Sequence, residues 1–104
     1  MSERVWSIIK YLPKQGCEDQ FEQSLKQLDA LILQKIDEGH DIFNQYIKID
    51  SGEYIQIMRN PSLDTLIDGQ FEGLTWLDSV DHLLEKYEEG SRTDACSGFE
   101  INLE

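Results

Sequence analysis

The chain has 104 residues, 21 of them acidic and 9 of them Lys or Arg, so its formal charge is −12. This length suits one domain, predicted to span residues 1–104, and 39% hydrophobic residues are too many for a disordered acidic tail. The charge repels phosphate groups, which argues against binding to nucleic acid or to an anionic membrane surface.

The first half of the chain predicts a strand followed by a long helix. Arg4 to Leu12 is rich in β-branched and aromatic residues and stops at Pro13, which is typical of a strand. Glu18 and Asp19 then supply the negative charge favoured at a helix N-terminus. An apolar stripe with steps of 4, 3, 4 and 4 follows, formed by Phe21, Leu25, Leu28, Ile32 and Ile36. We expect Gly39 to end this helix.

A hairpin is predicted next. Its strands run from Ile42 to Ile49 and from Glu53 to Met58, and the link Asp50-Ser51-Gly52 has Gly last, as expected for a hairpin with a bulge. Residues 62–68 are expected to form no more than a short helical turn.

The second long helix is predicted from Thr75 to Gly90. Thr75 and Asp78 resemble a capping box at its start. Its apolar stripe consists of Leu77, Val80, Leu84 and Tyr87. A polar stretch then leads to a last strand in which Phe99, Ile101 and Leu103 alternate with polar residues.

The element order is therefore βαββαβ. Short connections and the central hairpin favour an α+β, ferredoxin-like domain, with a four-stranded antiparallel sheet and two helices on one face. The strands carry one aliphatic face and one aromatic and amide face, the latter including Asn44, Tyr46, Tyr54, Gln56 and Met58. We expect the aromatic face to lie away from the helices and to be buried in a homodimer, because monomers seldom expose large apolar patches. The alternative is that the C-terminal strand or residues 61–74 fold over it.

Two segments resemble dimeric α/β-barrel proteins of the antibiotic-biosynthesis-monooxygenase type. One is RVWSIIKYLPKQGCEDQFEQSLKQL, from Arg4 onwards, and the other is TWLDSVDH, from Thr75 to His82. The resemblance implies dimers whose sheets close a barrel, and oxidation of aromatic or polyphenolic substrates by dioxygen without a cofactor. The chain departs from the haem-degrading members, which have an Asn on the first strand, where this sequence offers Ser7.

Aromatic side chains supply candidates for a ligand pocket between sheet and helices or inside a dimer barrel. An aromatic-lined cavity with few polar groups suits a flat organic molecule. The alternative is plain core packing. The candidates are Trp6, Tyr46, Tyr54, Met58 and Trp76.

No residue is assigned a catalytic role. His82 is the obvious acid–base candidate, but on the predicted helix it lies opposite the apolar stripe, with Asp78 and Glu85 as ion-pair partners. His40 lies in a turn. The histidines and cysteines have no recognised metal-ligand spacing, so we predict no metal.

The cysteines and the N-terminus favour a cytoplasmic protein. No apolar run approaches the roughly 18–20 residues of a membrane span, and the segment from Met1 lacks a signal-peptide core. Two cysteines are too few for a disulfide framework. The predicted topology brings Cys17 and Cys96 to one end of the sheet, so either a reversible disulfide or two reduced thiols fits.

A different class of function also fits the composition. A small acidic protein is steered towards basic surfaces, as in immunity proteins that mask nuclease toxins without catalysis. The acids expected to carry this role are Glu18, Asp19, Glu22, Glu85, Glu88 and Glu89.

Overall fold

The computed structural model describes residues 3–103; Met1, Ser2 and Glu104, which the predicted domain includes, lie outside the described residues. The strands are β1 (Val5–Tyr11), β2 (Phe43–Lys48), β3 (Tyr54–Asn60) and β4 (Asp94–Phe99), and the helices are α1 (Glu18–Asp37) and α2 (Leu63–Val80). The four strands form one antiparallel sheet in the order β2-β3-β1-β4. The predicted βαββαβ arrangement is confirmed, and it is consistent with a ferredoxin-like fold.

The first half of the chain follows its sequence pattern closely. The buried side chains of α1 are Phe21, Leu25, Leu28 and Ile32, all from the predicted stripe. The helix ends at Asp37, and Gly39 adopts a φ of 101°, a left-handed conformation that Gly tolerates without a steric penalty. The central hairpin is also confirmed, with Gly52 at a φ of 90° in the turn between β2 and β3.

The position of the second helix was predicted wrongly. Residues 63–74 are helical and belong to α2, which has Ser62 as its N-cap and ends at Val80. Ser62 Oγ accepts a hydrogen bond of 3.2 Å from the Thr65 backbone N–H, so Ser62 satisfies a donor that the first turn leaves free. Thr75, the predicted start, lies inside the helix.

Residues after α2 fold differently from the predicted continuous helix. A 3₁₀ turn covers Asp81–Leu83, after which Leu84 forms an isolated antiparallel bridge with Pro13. Leu84 is fully buried, so its apolar character does reflect core packing, although in extended backbone. A second 3₁₀ turn covers Glu88–Gly90.

The last strand was also predicted in the wrong place. β4 is Asp94–Phe99, whereas Ile101 and Leu103 lie beyond it and are exposed. Every residue of β4 is exposed, because β4 is an edge strand that neither helix covers closely. Such a strand buries no apolar face and therefore shows no strong hydrophobic alternation.

The two faces of the sheet are reversed relative to the prediction. The aromatic and amide face lies beneath α1 and α2: Tyr11 and Tyr54 both contact Phe21 of α1. The aliphatic face points away from the helices. Residue pairing across the strands places on it Trp6, Ile8, Phe43, Ile47, Ile55 and Ile57. The expected placement of the aromatic face away from the helices is therefore wrong, and α2 fulfils the alternative that residues 61–74 cover it.

Candidate functional site

A cavity of about 440 Å³ lies between the sheet and the two helices. The sheet supplies its floor, α1 and α2 form its walls, and β4 forms one margin. Most of its lining is apolar, including Ile9, Leu28, Ile32, Met58, Leu66 and Trp76. This volume lies within the usual range for pockets that hold small organic molecules.

Polar side chains on the cavity floor come from strand positions that would ordinarily be apolar. Ser7, Gln56 and Asn60 are 2–3% exposed and point to the helix-covered side of the sheet. Ser7 Oγ lies 2.8 Å from Ser97 Oγ of β4, so these two hydroxyls satisfy one another. Buried polar groups without partners are unfavourable, so nearly all such groups in folded proteins form a hydrogen bond.

Asn60 is the polar group on this floor that lacks a partner. Its side chain is 3% exposed, yet its Nδ2 atom finds no hydrogen-bond acceptor among residues 3–103. Asn60 ends β3, opposite Val5 of β1, and lines the cavity. An unsatisfied buried donor costs about 1–3 kcal/mol, which an acceptor placed in the cavity would remove.

A chain of hydrogen bonds crosses the floor at the opposite end. The Tyr11 hydroxyl donates to Gln56 Oε1 at 2.8 Å, and Gln56 Nε2 donates to Asn44 Oδ1 at 2.8 Å. Asn44 Nδ2 in turn donates to Asp29 Oδ1 of α1 at 3.2 Å. Burial raises the pKa of Tyr11 well above its ordinary value, so its hydroxyl remains neutral.

Charged groups are confined to the cavity margin. Lys35 of α1 and Glu72 of α2 form an ion pair of 3.4 Å between the two helices. Asp68 and His40 also reach the margin, and His40 is exposed. His40 therefore lies beside the cavity, which its predicted position in a turn did not indicate.

The predicted pocket residues separate into two groups. Met58 and Trp76 line the cavity. Tyr54 is buried against Phe21, and its hydroxyl donates to Glu22 at 2.5 Å. Tyr46 faces the helices but is not part of the cavity lining. Trp6 lies on the opposite face of the sheet, where its indole N–H donates to Glu100 at 3.0 Å.

Sequence reasoning missed the polar cavity residues Ser7, Tyr11, Gln56 and Asn60. Ser7, Gln56 and Asn60 could have been identified as polar residues at positions of β1 and β3 where the alternation of side chains predicts a buried residue. It also missed two glycines of α2, Gly69 and Gly73, which line the cavity one helical turn apart.

The remaining chemical candidates stay apart from the cavity. His82 is exposed, as predicted, but it lies in the 3₁₀ turn Asp81–Leu83 and not in the predicted α-helix. Cys17 and Cys96 are both free thiols. Within residues 3–103 no group of His, Cys, Asp and Glu could hold a metal ion. No helix in this range is long and apolar enough to span a membrane.

One acid from each predicted group lies near the end of β1. Glu22, near the start of α1, accepts from Tyr54 at the start of β3. Glu85 follows the bridge to Pro13, and its backbone N–H donates to Leu12 at 2.8 Å. Both contacts are made where β1 ends.

No family model matches the chain, and no curated protein or solved structure matches it.

Proposed function

We propose that this protein binds a neutral small organic molecule in the cavity between the sheet and the helices. The observation that carries the proposal is the unpartnered Nδ2 of Asn60, buried on the floor of a largely apolar cavity. A ligand oxygen that accepts from this donor would remove its desolvation cost, while the apolar walls would bury the rest of the ligand.

The glycines of α2 support this proposal. Gly in a helix interior costs about 1 kcal/mol relative to Ala, so close packing usually accounts for it. Here a Cβ at Gly69 or at Gly73 would have no described atom within 4 Å beyond the helix itself. The missing side chains therefore leave open volume in the cavity rather than a close contact.

A cavity-filling variant tests binding directly. We expect neutral flat aromatic compounds to raise the melting temperature of the wild-type protein by preferential binding to the folded state. Gly73→Leu should abolish this increase, since its side chain projects into the open volume, whereas Gly73→Ala should retain it. Both variants should be at least as stable as the wild type without ligand because Gly is a poor helix former. Equal ligand responses in Gly73→Leu and Gly73→Ala would place binding elsewhere.

Oxidation of the ligand is a separate proposal that rests on the resemblance to cofactor-independent monooxygenases. It predicts that a polyphenol is consumed together with dioxygen by the purified protein. An oxygen electrode measures this directly, with Gly73→Leu as the control. Oxygen uptake that persists in Gly73→Leu would not be chemistry of this cavity.

We also propose that two copies pack through their aliphatic sheet faces to form a dimeric barrel. The exposed fractions of Ile8, Phe43 and Ile47 on this face are 42–44%, so large apolar side chains lie partly in solvent there, beside Lys10, Gln45 and Arg59. Arg59 lies near Trp6 and Phe43, with its guanidinium carbon 6.0 Å from each ring centre, and forms an ion pair of 2.9 Å with Asp41.

Light scattering on a sizing column tests the dimer. The wild type should have twice the chain mass, and Ile8→Lys should be a monomer because it places a charge in the centre of the face. Leu33→Lys is the matched control, since Leu33 is exposed on α1 and not on the sheet. A wild-type monomer would contradict the barrel.

The second candidate function is masking of a basic protein partner. It is supported by the positions of Glu22 and Glu85, one acid from each predicted group, near the end of β1. Association with a basic partner should slow steeply as salt rises, whereas ligand binding in the cavity should be nearly independent of salt. Reversing Glu88 and Glu89 to Lys should reduce only the former.

A further inference from the structure

The direction of the hydrogen bonds across the cavity floor is fixed by Asp29. A carboxylate only accepts hydrogen bonds, so Asn44 must present its NH₂ group to Asp29. Asn44 then has its oxygen left to accept from the NH₂ group of Gln56. The oxygen of Gln56 must therefore accept the proton of Tyr11.

This direction determines what Tyr11 can offer a ligand. Its proton is committed to Gln56, and burial keeps the hydroxyl from ionising. The Tyr11 oxygen retains acceptor capacity, so this hydroxyl can receive a hydrogen bond from a ligand but cannot donate one to it.

The Asn60 end has the opposite polarity. Its unpartnered Nδ2 can only donate. Gln56 and Asn60 are four residues apart on β3, so their Cα atoms lie about 13 Å apart along the strand. Two hydrogen bonds of about 2.9 Å leave roughly 7 Å between the polar atoms of a molecule that joins the two ends.

The floor between these ends favours a ligand without charge. Ser7, Ile9 and Met58 occupy it, and Ser7 is already paired with Ser97. A charged group placed there would be buried without a counterion, which is strongly unfavourable.

We propose that the cavity selects a neutral, elongated molecule with a carbonyl-type acceptor at the Asn60 end and a hydroxyl or N–H donor at the Tyr11 end. This selectivity rests on the proposed ligand binding and adds a polarity to it. Aromatic hydroxyketones with about 7 Å between the two oxygens are one class with this pattern.

A probe series on one carbon skeleton tests the polarity in the wild-type protein. Para-hydroxybenzophenone carries both groups, benzophenone lacks the donor, para-benzylphenol lacks the acceptor, and para-benzoylbenzoate replaces the donor with a charge. We expect para-hydroxybenzophenone to bind at least about tenfold more tightly than each of the others, because each leaves a buried group unpaired. Calorimetry measures the four dissociation constants.

Two variants assign the two ends. Tyr11→Phe should remove the preference for para-hydroxybenzophenone over benzophenone, and Asn60→Leu should remove its preference over para-benzylphenol. Cys96→Ser is the control, since Cys96 lies on the other face of the sheet, opposite Ile8. If either variant fails to fold, the wild-type probe series alone decides.

The possible failures are distinct. Equal binding of the three neutral probes, blocked by Gly73→Leu, would overturn the polarity and leave ligand binding intact. Binding of para-benzoylbenzoate as tight as that of para-hydroxybenzophenone would overturn the requirement for neutrality. Failure of every neutral probe to bind would overturn the proposed function and this inference with it.

Discussion

The indole N–H of Trp76 donates a hydrogen bond of 2.8 Å to the backbone carbonyl of Ser24. This bond joins α2 to α1 beside the cavity. The ring of Trp76 also contacts Tyr11 edge-on, with 5.7 Å between ring centres. Trp76 thus holds the helix wall against both the other helix and the sheet.

Replacing Trp76 with Phe should lower the free energy of unfolding by about 1–3 kcal/mol, since it removes the interhelical hydrogen bond and leaves unfilled volume. Trp6→Phe is the matched control. Trp6 is half-buried on the other face of the sheet, so its loss should cost about 1 kcal/mol or less. Urea unfolding of both variants measures the difference. Equal losses would contradict the role of Trp76 as the tie between the helices.

Tyr11 and Tyr46 face the same side of the sheet but differ in their hydroxyl groups. The Tyr11 hydroxyl donates to Gln56, whereas the buried Tyr46 hydroxyl lies near the Asn44 amide but completes no hydrogen bond with the described residues. Tyr11→Phe should therefore destabilise the fold by about 1–3 kcal/mol because it leaves Gln56 Oε1 unpaired. Tyr46→Phe should be neutral or stabilising by up to about 1 kcal/mol. Urea unfolding at neutral pH compares them, and a larger loss in Tyr46→Phe would contradict the assignment.

Tyr46 also gives the fold a dependence on alkaline pH. Burial raises the pKa of Tyr46 from 10.0 to about 12, against the lowering effect of the nearby Asn44 amide and with a smaller increase from the charge of Asp29. A pKa raised on folding means that the folded state favours the neutral phenol, so this contribution is complete below pH 10 and is lost as the pH rises through 12.

Absorbance of tyrosinate against pH measures this titration. The difference between wild type and Tyr46→Phe should have its midpoint near pH 12 while the protein remains folded, and Tyr46→Phe should lose stability less steeply above pH 10. A difference curve centred near pH 10 would show that the Tyr46 hydroxyl is solvated.

The first three strands and α1 were predictable because each has a local pattern that agrees with its packing. The stripe of α1 is buried as expected, and the hairpin has Gly where its turn needs a positive φ. The pattern of helix α2 is weak because glycine, present at 69 and 73, is unfavourable inside a helix, and because part of its apolar surface is exposed. Leu63, Ile67 and Phe71 are 46%, 52% and 79% exposed.

The capping signal at Thr75 was misleading for a physical reason. Its hydroxyl donates 2.9 Å back to the carbonyl of Phe71, a hydrogen bond that Thr makes inside helices. The cavity was only partly predictable, since Met58 and Trp76 follow from aromatic and apolar patterning. The roles of Asn60 and Tyr11 depend on tertiary contacts that the sequence does not show. Gln56 accepts a hydrogen bond from Tyr11, and Asn60 Nδ2 has no acceptor among the described residues.

Cys96 gives a chemical readout of the proposed dimer. It is an exposed free thiol on β4, and its pairing with Ile8 places it on the aliphatic face of the sheet. Cys17, which precedes α1, is half-buried. Titration without reductant should find two thiols, and finding none would restore the disulfide as an alternative.

In a Cys17→Ser background, Cys96 should react with a thiol reagent more slowly as protein concentration rises, because dimer formation covers it. The same background with Ile8→Lys should react at a rate that is independent of protein concentration. Cys96→Ser, which retains only Cys17, should also show no dependence. Light scattering gives the range of protein concentration over which the dimer forms. If the Cys96 reaction rate stays constant across this range, the copies associate through another surface. The exposed residues Leu63, Ile67 and Phe71 on α2 would then be the next candidate.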